Sequence, residues 1–191
     1  MLLLGLFLLP VLLLLMYFIV QPRPFKIPIK GRLVFVTGGS MGIGLAIAKQ
    51  AASEGARISL LARSLDQLEK AKQSICEACD VEVSIFSADV RDYVAVERAV
   101  NKAGPIDVLV VNHGVYYVEE LETQELDVVK SMIDVNLMGS FNVIKAALPS
   151  MKRMIENTKG LPPLLLCLQS PARWVHMVLR HIRPPNLDFE D

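Results

Sequence analysis

One run of eight residues, from Thr37 to Gly44, constrains the fold of this chain more than any other feature. It reads T-G-G-S-M-G-I-G and lies between an apolar stretch that ends at Thr37 and an amphipathic stretch that begins near Ile43. Glycine at positions 38, 42 and 44 permits a tight strand-to-helix turn, where backbone amides and the helix dipole favour a phosphate. Taken alone, the run fits either a cofactor-binding loop or a plain turn.

The residues after Leu33 alternate between short apolar runs and longer amphipathic ones. This alternation is typical of an α/β fold in which helices flank a parallel sheet. Gly55 and Gly104 are predicted to end two of the helices. Strands are predicted over 33–37, 57–61, 81–86 and 107–111, with a fifth over 164–168 beside the fourth, and helices over 43–54, 65–79, 93–103 and 126–154.

Charge and cysteine content exclude several classes of protein. The 191 residues carry 20 basic and 20 acidic side chains, so no global field draws the chain onto nucleic acid. The chain has three cysteines, Cys76, Cys79 and Cys167. An odd number does not suit a disulfide framework and indicates a reducing compartment. Cys76 and Cys79 form a C-x-x-C, but without a second pair ordinary helix thiols are favoured, and no metal site is expected.

The first twenty residues predict a membrane anchor. Residues 1–20 carry no charge and are almost wholly large and apolar, which is enough helix to cross ~30 Å of hydrocarbon. A retained transmembrane helix is favoured over a cleaved signal peptide, because no basic stretch precedes the run and no small-x-small site ends it. Arg23, Lys26, Lys30 and Arg32 follow, so the folded domain is expected to face the cytosol.

Three further motifs follow the glycine run in order. Asp89 lies in S-A-D-V, Asn112 and Gly114 lie in N-H-G, and Asn136 lies in D-V-N-L-M-G-S. Together with T-G-x-x-x-G-x-G, they resemble the short-chain dehydrogenase/reductase family. That resemblance implies a Rossmann-type, doubly wound parallel sheet in the strand order 3-2-1-4-5, truncated in this chain. It also implies that a nicotinamide dinucleotide is bound by Gly38, Ser40, Met41, Gly42, Ile43, Gly44, Arg63, Asp89, Asn112 and Gly114.

The resemblance also assigns roles to single residues. It implies that the Asp89 carboxylate accepts a hydrogen bond from the adenine amine, whereas the alternative is a cap of the helix that begins at Tyr93. The N-H-G motif is expected to buttress the sheet and contact the cofactor, and we interpret His113, which replaces the family's alanine, as a substitution without a catalytic role. Asn136 is the catalytic residue that the resemblance implies, holding a water in the proton relay.

The end of the second predicted strand indicates the cofactor. An acidic residue there binds the ribose hydroxyls of NAD, and a basic one accommodates the phosphate of NADP. Here the chain reads L-A-R-S over 61–64, and Arg63 offers a planar fork matched to phosphate. The prediction is NADPH, with Ser40 assisting, and the alternative for Arg63 is a solvated surface arginine.

Within the family, the chain is similar to the 3-ketodihydrosphingosine reductases of plants. The similarity rests on the apolar N-terminus, the tether V-Q-P-R-P over 20–24, the R-S after the second strand, and G-S-F-N-V-I-K-A-A-L-P over 139–149. It implies reduction of a long-chain sphingoid ketone taken from the endoplasmic-reticulum membrane, with the protein a single-pass resident there and a homo-oligomer. A membrane-anchored reductase of steroids or retinoids would share every motif, so this alternative stays open.

The family's Y-x-x-x-K pair, which donates the proton to the carbonyl, is absent from this sequence. The four tyrosines are at 17, 93, 116 and 117, and none has a lysine four residues later. In an alternative reading frame, the third base of each codon is joined to the first two bases of the next codon. In that frame residues 180–187 can encode T-A-Y-S-A-S-K-F, and residues 167–174 permit S-S-x-A-G-Q-M/V. We therefore hypothesise a frameshifted tail. The alternative is a catalytically inactive, truncated isoform that binds cofactor or full-length subunits.

The predicted organisation has four segments. They are a transmembrane anchor over 1–20, a proline-rich basic linker over 21–31, an incomplete NADPH-binding Rossmann domain over 32–160 and an aberrant tail over 161–191.

Overall fold

The computed structural model describes residues 16, 28–117, 122–157 and 163–167. Within them the chain forms a five-stranded parallel sheet in the order β3-β2-β1-β4-β5, which confirms the predicted α/β sheet and its strand order. The strands are β1 (Leu33–Thr37), β2 (Arg57–Ala62), β3 (Val83–Ser87), β4 (Val108–Val111) and β5 (Leu164–Cys167). The helices are α1 (Gly42–Ser53), α2 (Leu65–Cys76), α3 (Tyr93–Ala103), α4 (Leu126–Ile133) and α5 (Gly139–Asn157).

Two hydrophobic layers cover the two faces of this sheet. Successive side chains of a strand point to opposite faces, and both faces of the central strand β1 are buried. Phe35 packs in one layer with residues of α3 and α5, whereas Val36 packs in the other with residues of α1 and α2. Helices on both faces explain why the strands read as unbroken apolar runs, and they leave the carboxyl edge of the sheet as the open side.

The helix predicted over 126–154 differs from the structure. A π-helical segment, Asp134–Met138, separates α4 from α5 within the continuous helical stretch. The hydrophobic pattern did not reveal it, because the sequence D-V-N-L-M over 134–138 contains no glycine or proline that would mark a break. Asn136 lies inside this segment, where single π turns often mark functional positions.

The second helix and third strand are also shorter than predicted. The amides of Ala78 and Cys79 both bond to the carbonyl of Ile75, which closes α2 at Cys76. The Cys79 carbonyl then accepts the amide of Val81 in a turn, so β3 begins only at Val83. A local turn without glycine or proline gave no sequence signal for this boundary.

Most of the predicted anchor, most of the linker and most of the hypothesised frameshifted tail lie outside the described residues. The described part of the tail, 163–167, contains β5. Among the residues that are described, no helix is both long enough and apolar enough to span a membrane. The transmembrane anchor therefore stays a prediction.

Candidate functional site

A cleft of about 360 Å³ opens at the carboxyl edge of the sheet. Parallel strands bring their carboxyl ends to one edge, and ligands of open α/β sheets bind where the strand order reverses. In this sheet the reversal lies between β1 and β4. The strands β2 and β3 extend the sheet on one side of β1, and β4 and β5 extend it on the other side. The lining comprises Gly38, Ser40, Met41, Leu61, Ala62, Arg63, Ser64, Gln67, Ala88, Asp89, Val90, Asn112, His113, Gly114, Val115 and Val135.

The glycine turn connects β1 to α1 with very little space between them. Gly38 has a φ of 64° and donates its amide to the carbonyl of Leu61 at 2.8 Å. A methyl group at Gly44 would collide with the main-chain oxygen of Gly38 and lie 2.5 Å from Nδ2 of Asn112. Because only hydrogen fits at Gly44, the first turn of α1 approaches the end of β1 closely.

The amino end of α1 is open to an anion. Met41 caps this helix without a side-chain hydrogen bond, and no acidic residue occupies its first turn. The first amides of a helix have no acceptor within the helix, and they carry the positive end of its dipole. The turn therefore fits a dinucleotide pyrophosphate, which would lie against the amides of residues 42–44.

Thr37 joins the glycine turn to the end of β4. Its buried hydroxyl oxygen accepts the amide of Asn112 at 3.0 Å and lies 2.8 Å from Nδ1 of His113. The amide side chain of Asn112 in turn donates to the carbonyl of Gly38 at 3.4 Å. The N-H-G motif, which was expected to buttress the sheet, is thus hydrogen-bonded to the end of β1 and to the glycine turn.

The imidazole of His113 is enclosed between β4 and the helical stretch. It is 7% exposed, and Gly139 provides the space for its Nε2 edge. Nε2 has no hydrogen-bond partner within the described residues, and the main chain of Val135 opposes the effect of burial on the pKa of the ring. Burial lowers the pKa of His113 to about 4, so the ring is neutral at physiological pH.

Arg63 lies exposed at the rim of the cleft, directly after β2. Its carbonyl accepts the hydroxyl of Ser87 at 2.9 Å, which fixes the backbone there to the end of β3. Ser64 caps α2 by accepting the amide of Gln67 at 3.3 Å. The guanidinium is therefore attached to a well-defined turn and can reach a phosphate placed over the end of β2.

Asp89 lines the cleft but does not cap α3. The cap is Asp92, whose side chain accepts the amide of Ala95 at 3.1 Å, so the alternative interpretation of Asp89 was wrong. The Asp89 carboxylate instead pairs with Arg91 at 2.6 Å. The hydrogen bond from the Arg91 side chain lowers the pKa of Asp89 and outweighs the opposing effect of burial.

Asn136 fastens the loop after β4 to the helical stretch. Its Oδ1 accepts the amide of Val115 and its Nδ2 donates to the carbonyl of the same residue, both at 2.8 Å. The main-chain oxygen of Asn136 accepts the hydroxyl of Ser140 at 2.6 Å. In this structure Asn136 holds main chain in position, and its part in a proton relay stays a prediction.

The structure brings most of the predicted site residues together. Asn136 and the first residues of α1 lie next to the lining without belonging to it, although Val135 does. Sequence reasoning missed Ser64 and Gln67, two polar residues of the lining. The place of Ser64 just after the end of β2 could have indicated it, whereas Gln67 lies inside α2. The predicted residues that line the cleft are Gly38, Ser40, Met41, Arg63, Asp89, Asn112 and Gly114, and those beside it are Gly42, Ile43, Gly44 and Asn136.

The family model for short chain dehydrogenase matches residues 32–161. This chain belongs to the short-chain dehydrogenase family. The match spans the glycine turn, the strands of the cleft and the helical stretch that carries Asn136.

Two 3-dehydrosphinganine reductases of Arabidopsis thaliana are similar to the chain. One is 63% identical over 141 residues and the other 65% identical over 134 residues. The matches cover 74% and 70% of this chain but 43% and 41% of those proteins. The chain therefore spans about two fifths of the length of these curated relatives.

Solved structures with the same architecture include two oxidoreductases. The L-sorbose reductase of Gluconobacter frateurii, complexed with NADPH and L-sorbose, has a TM-score of 0.63 at 30% identity, over 68% of this chain and 51% of its own. The alcohol dehydrogenase of the archaeon Thermococcus sibiricus, complexed with 5-hydroxy-NADP, has a TM-score of 0.62 at 38% identity, over 65% of this chain and 55% of its own.

The substitution Gly44→Ala tests the close approach of α1 to β1. We expect it to lower the free energy of unfolding by about 1–3 kcal/mol and to weaken binding of a nicotinamide dinucleotide by about tenfold, because main chain must move to admit the methyl group. Denaturant unfolding and fluorescence titration measure the two effects. Lys49→Ala, on the exposed face of α1, is the control and should change neither quantity; equal effects of both substitutions would contradict the prediction.

The low pKa of His113 predicts an acid-sensitive fold. The buried ring has a pKa of about 4 against 6.5 when solvated, so the unfolded chain binds more protons between these values. The contribution of His113 to stability is therefore fully present above pH 6.5 and decreases by about 3 kcal/mol as the pH falls to 4. Urea unfolding at several pH values measures the slope. His113→Ala should remove this part of the slope, and an unchanged slope in that variant would refute the assignment.

Proposed function

We propose that this chain carries the cofactor-binding part of an oxidoreductase that reduces 3-ketodihydrosphingosine to dihydrosphingosine with NADPH, in sphingolipid synthesis. The observation that carries the proposal is the cleft at the carboxyl edge, which lies within the segment that is similar to the Arabidopsis thaliana reductases. A 3-dehydrosphinganine reductase of Danio rerio is also 37% identical over 142 residues. These relatives support a ketone substrate on a long-chain base.

Different residues of the chain have separate roles in binding a dinucleotide. When bound, the reduced nicotinamide supplies the hydride. The amides of the glycine turn would hold the pyrophosphate, and the bonds of Thr37 and Asn112 keep that turn against the end of β4. Asn136 holds the loop at Val115, which lines the cleft, in place.

The choice of NADPH rests on the rim of the cleft at the end of β2. Arg63 is the cationic side chain in the lining, and Ser40 and Ser64 add hydroxyl donors. A phosphate on the adenosine ribose would meet these donors, whereas a ribose without it would leave Arg63 unpaired.

A membrane location forms part of the same proposal. The uncharged residues 1–20 and the basic residues after them favour a single-pass anchor in the endoplasmic-reticulum membrane with the cleft in the cytosol. A long-chain sphingoid base would then reach the site from the adjacent bilayer, and other subunits of the same protein are the proposed partners.

A non-catalytic product is the second candidate function. It is favoured by a specific observation, which is that no tyrosine of the sequence has a lysine four residues later. A chain without that pair binds cofactor, or pairs with full-length subunits, without supplying the proton that ketone reduction needs.

Arg63→Leu tests the proposed cofactor. Loss of a charge-assisted bond to phosphate should weaken NADPH binding about tenfold to a hundredfold and leave NADH binding within about twofold. Fluorescence titration of the purified chain with both dinucleotides measures the preference. Arg98→Leu removes the same charge from the exposed face of α3 and should change neither affinity; a loss of preference in both variants, or in neither, would contradict the assignment to Arg63.

Turnover separates the two candidate functions. We expect the 191-residue chain to bind NADPH without reducing 3-ketodihydrosphingosine, and a chain whose tail is read in the alternative frame to do both. NADPH consumption and product formation are measured in detergent micelles, and the transcript is sequenced across codons 155–191. Ketone reduction by the unaltered chain would refute the non-catalytic candidate. A transcript that encodes the tail in frame and offers no alternative Y-x-x-x-K would refute the frameshift hypothesis.

A further inference from the structure

The hydroxyl oxygen of Thr37 contacts four polar groups at the ends of β1 and β4. It accepts the main-chain amide of Asn112 at 3.0 Å and that of His113 at 3.4 Å. It also lies 2.8 Å from Nδ1 of His113 and 3.3 Å from the carbonyl oxygen of Val110. A hydroxyl has two acceptor lone pairs and one hydrogen. The two amides use the lone pairs, so Nδ1 and the carbonyl compete for the one hydrogen.

The short contact between Nδ1 and the hydroxyl oxygen determines where that hydrogen lies. Because both lone pairs already accept amides, Nδ1 cannot donate to this oxygen and must accept from it. The distance of 2.8 Å is typical of a hydroxyl that donates, whereas the 3.3 Å to the carbonyl of Val110 is long for such a bond. The neutral ring of His113 has a single N–H, which therefore lies at Nε2.

The Nε2 side of the ring lies against the helical stretch that carries Asn136. A methyl group at Gly139 would be only 3.1 Å from Nε2. The main chain of Val135 raises the pKa of the ring, which is the effect of an acceptor beside a ring N–H. Nε2 itself has no hydrogen-bond partner in the described part of the chain. The bond to Thr37 is thus the polar contact that orients the ring there.

We propose that His113 is a positioning residue of the dinucleotide site. As the neutral tautomer with its hydrogen on Nε2, it accepts the hydrogen of Thr37 and directs both lone pairs of that hydroxyl at the amides of Asn112 and His113. The main chain that lines the cleft after β4 is thereby fixed beside the glycine turn. The inference rests on the proposed cofactor function, and it gives a role to a side chain that the motif comparison treated as a substitution.

Two substitutions separate the acceptor at Nδ1 from the volume of the ring. In His113→Asn the side-chain oxygen takes the place of Nδ1, whereas His113→Leu fills a similar volume without a polar atom. We expect His113→Leu to weaken NADPH binding about tenfold, which corresponds to the loss of about one hydrogen bond, and His113→Asn to remain within about threefold of the unaltered chain. Fluorescence titration of the 191-residue chain with NADPH measures both dissociation constants.

Urea unfolding of the same variants separates positioning from a purely structural role. His113→Asn leaves unfilled space in the interior and should unfold at a lower urea concentration, whereas His113→Leu removes a buried N–H and should unfold at an equal or higher one. Stability and affinity should therefore rank the two variants in opposite order. Normal NADPH binding by a stable His113→Leu variant would overturn the proposal. Ser59→Ala, which removes a buried hydroxyl outside the cleft lining, is the control and should bind NADPH normally.

Nitrogen NMR of the chain with ¹⁵N-labelled histidine rings observes the tautomer directly. In the ring signals that disappear in His113→Asn, we expect a hydrogen on Nε2 and none on Nδ1, and a hydrogen on Nδ1 would refute the inference. If the unaltered chain binds no NADPH, the proposed function is refuted and the role of His113 with it. If NADPH binds and His113→Leu changes its dissociation constant by less than about twofold, only the role of His113 is refuted.

Discussion

The hydroxyl group of Thr37 holds together the two strands whose ends form the cleft. It is fully buried, so leaving it without partners would cost free energy. Its contacts with the amide of Asn112, the ring of His113 and the carbonyl of Val110 satisfy it and fix the ends of β1 and β4 at one level. The glycine turn begins at the next residue, so the geometry of the dinucleotide site depends on this one group.

The helical stretch from α4 to α5 closes the same edge through two asparagines. Asn136 binds both main-chain groups of Val115, and Asn142 binds the carbonyls of Val90 and Arg91. Amide side chains suit this task because each carries a donor and an acceptor without charge. The loops that follow β3 and β4 are therefore attached to one helical stretch, which fixes their positions relative to each other.

Sequence reasoning succeeded where a boundary had a local cause. β1 and α3 have their predicted bounds, because a glycine turn follows Thr37 and because Asp92 and Gly104 limit α3 at its two ends. It failed for the π-helical segment around Asn136, whose side chain bonds to the loop after β4, because a contact between residues distant in sequence leaves no local pattern. The ion pair between Asp89 and Arg91 was also missed, because a sequence motif assigns a role to a carboxylate without showing which cation pairs with it.

The sequence alone determined the class of fold, the strand order through its family motifs, and the positions of the site residues after the strands. It could do so because apolar periodicity and glycine spacing are local properties of the chain. Only the tertiary structure decided the low pKa of His113, the cap at Asp92 and the partner of Asp89. These depend on burial and on angstrom-scale distances between side chains and main chain, which the order of residues does not contain.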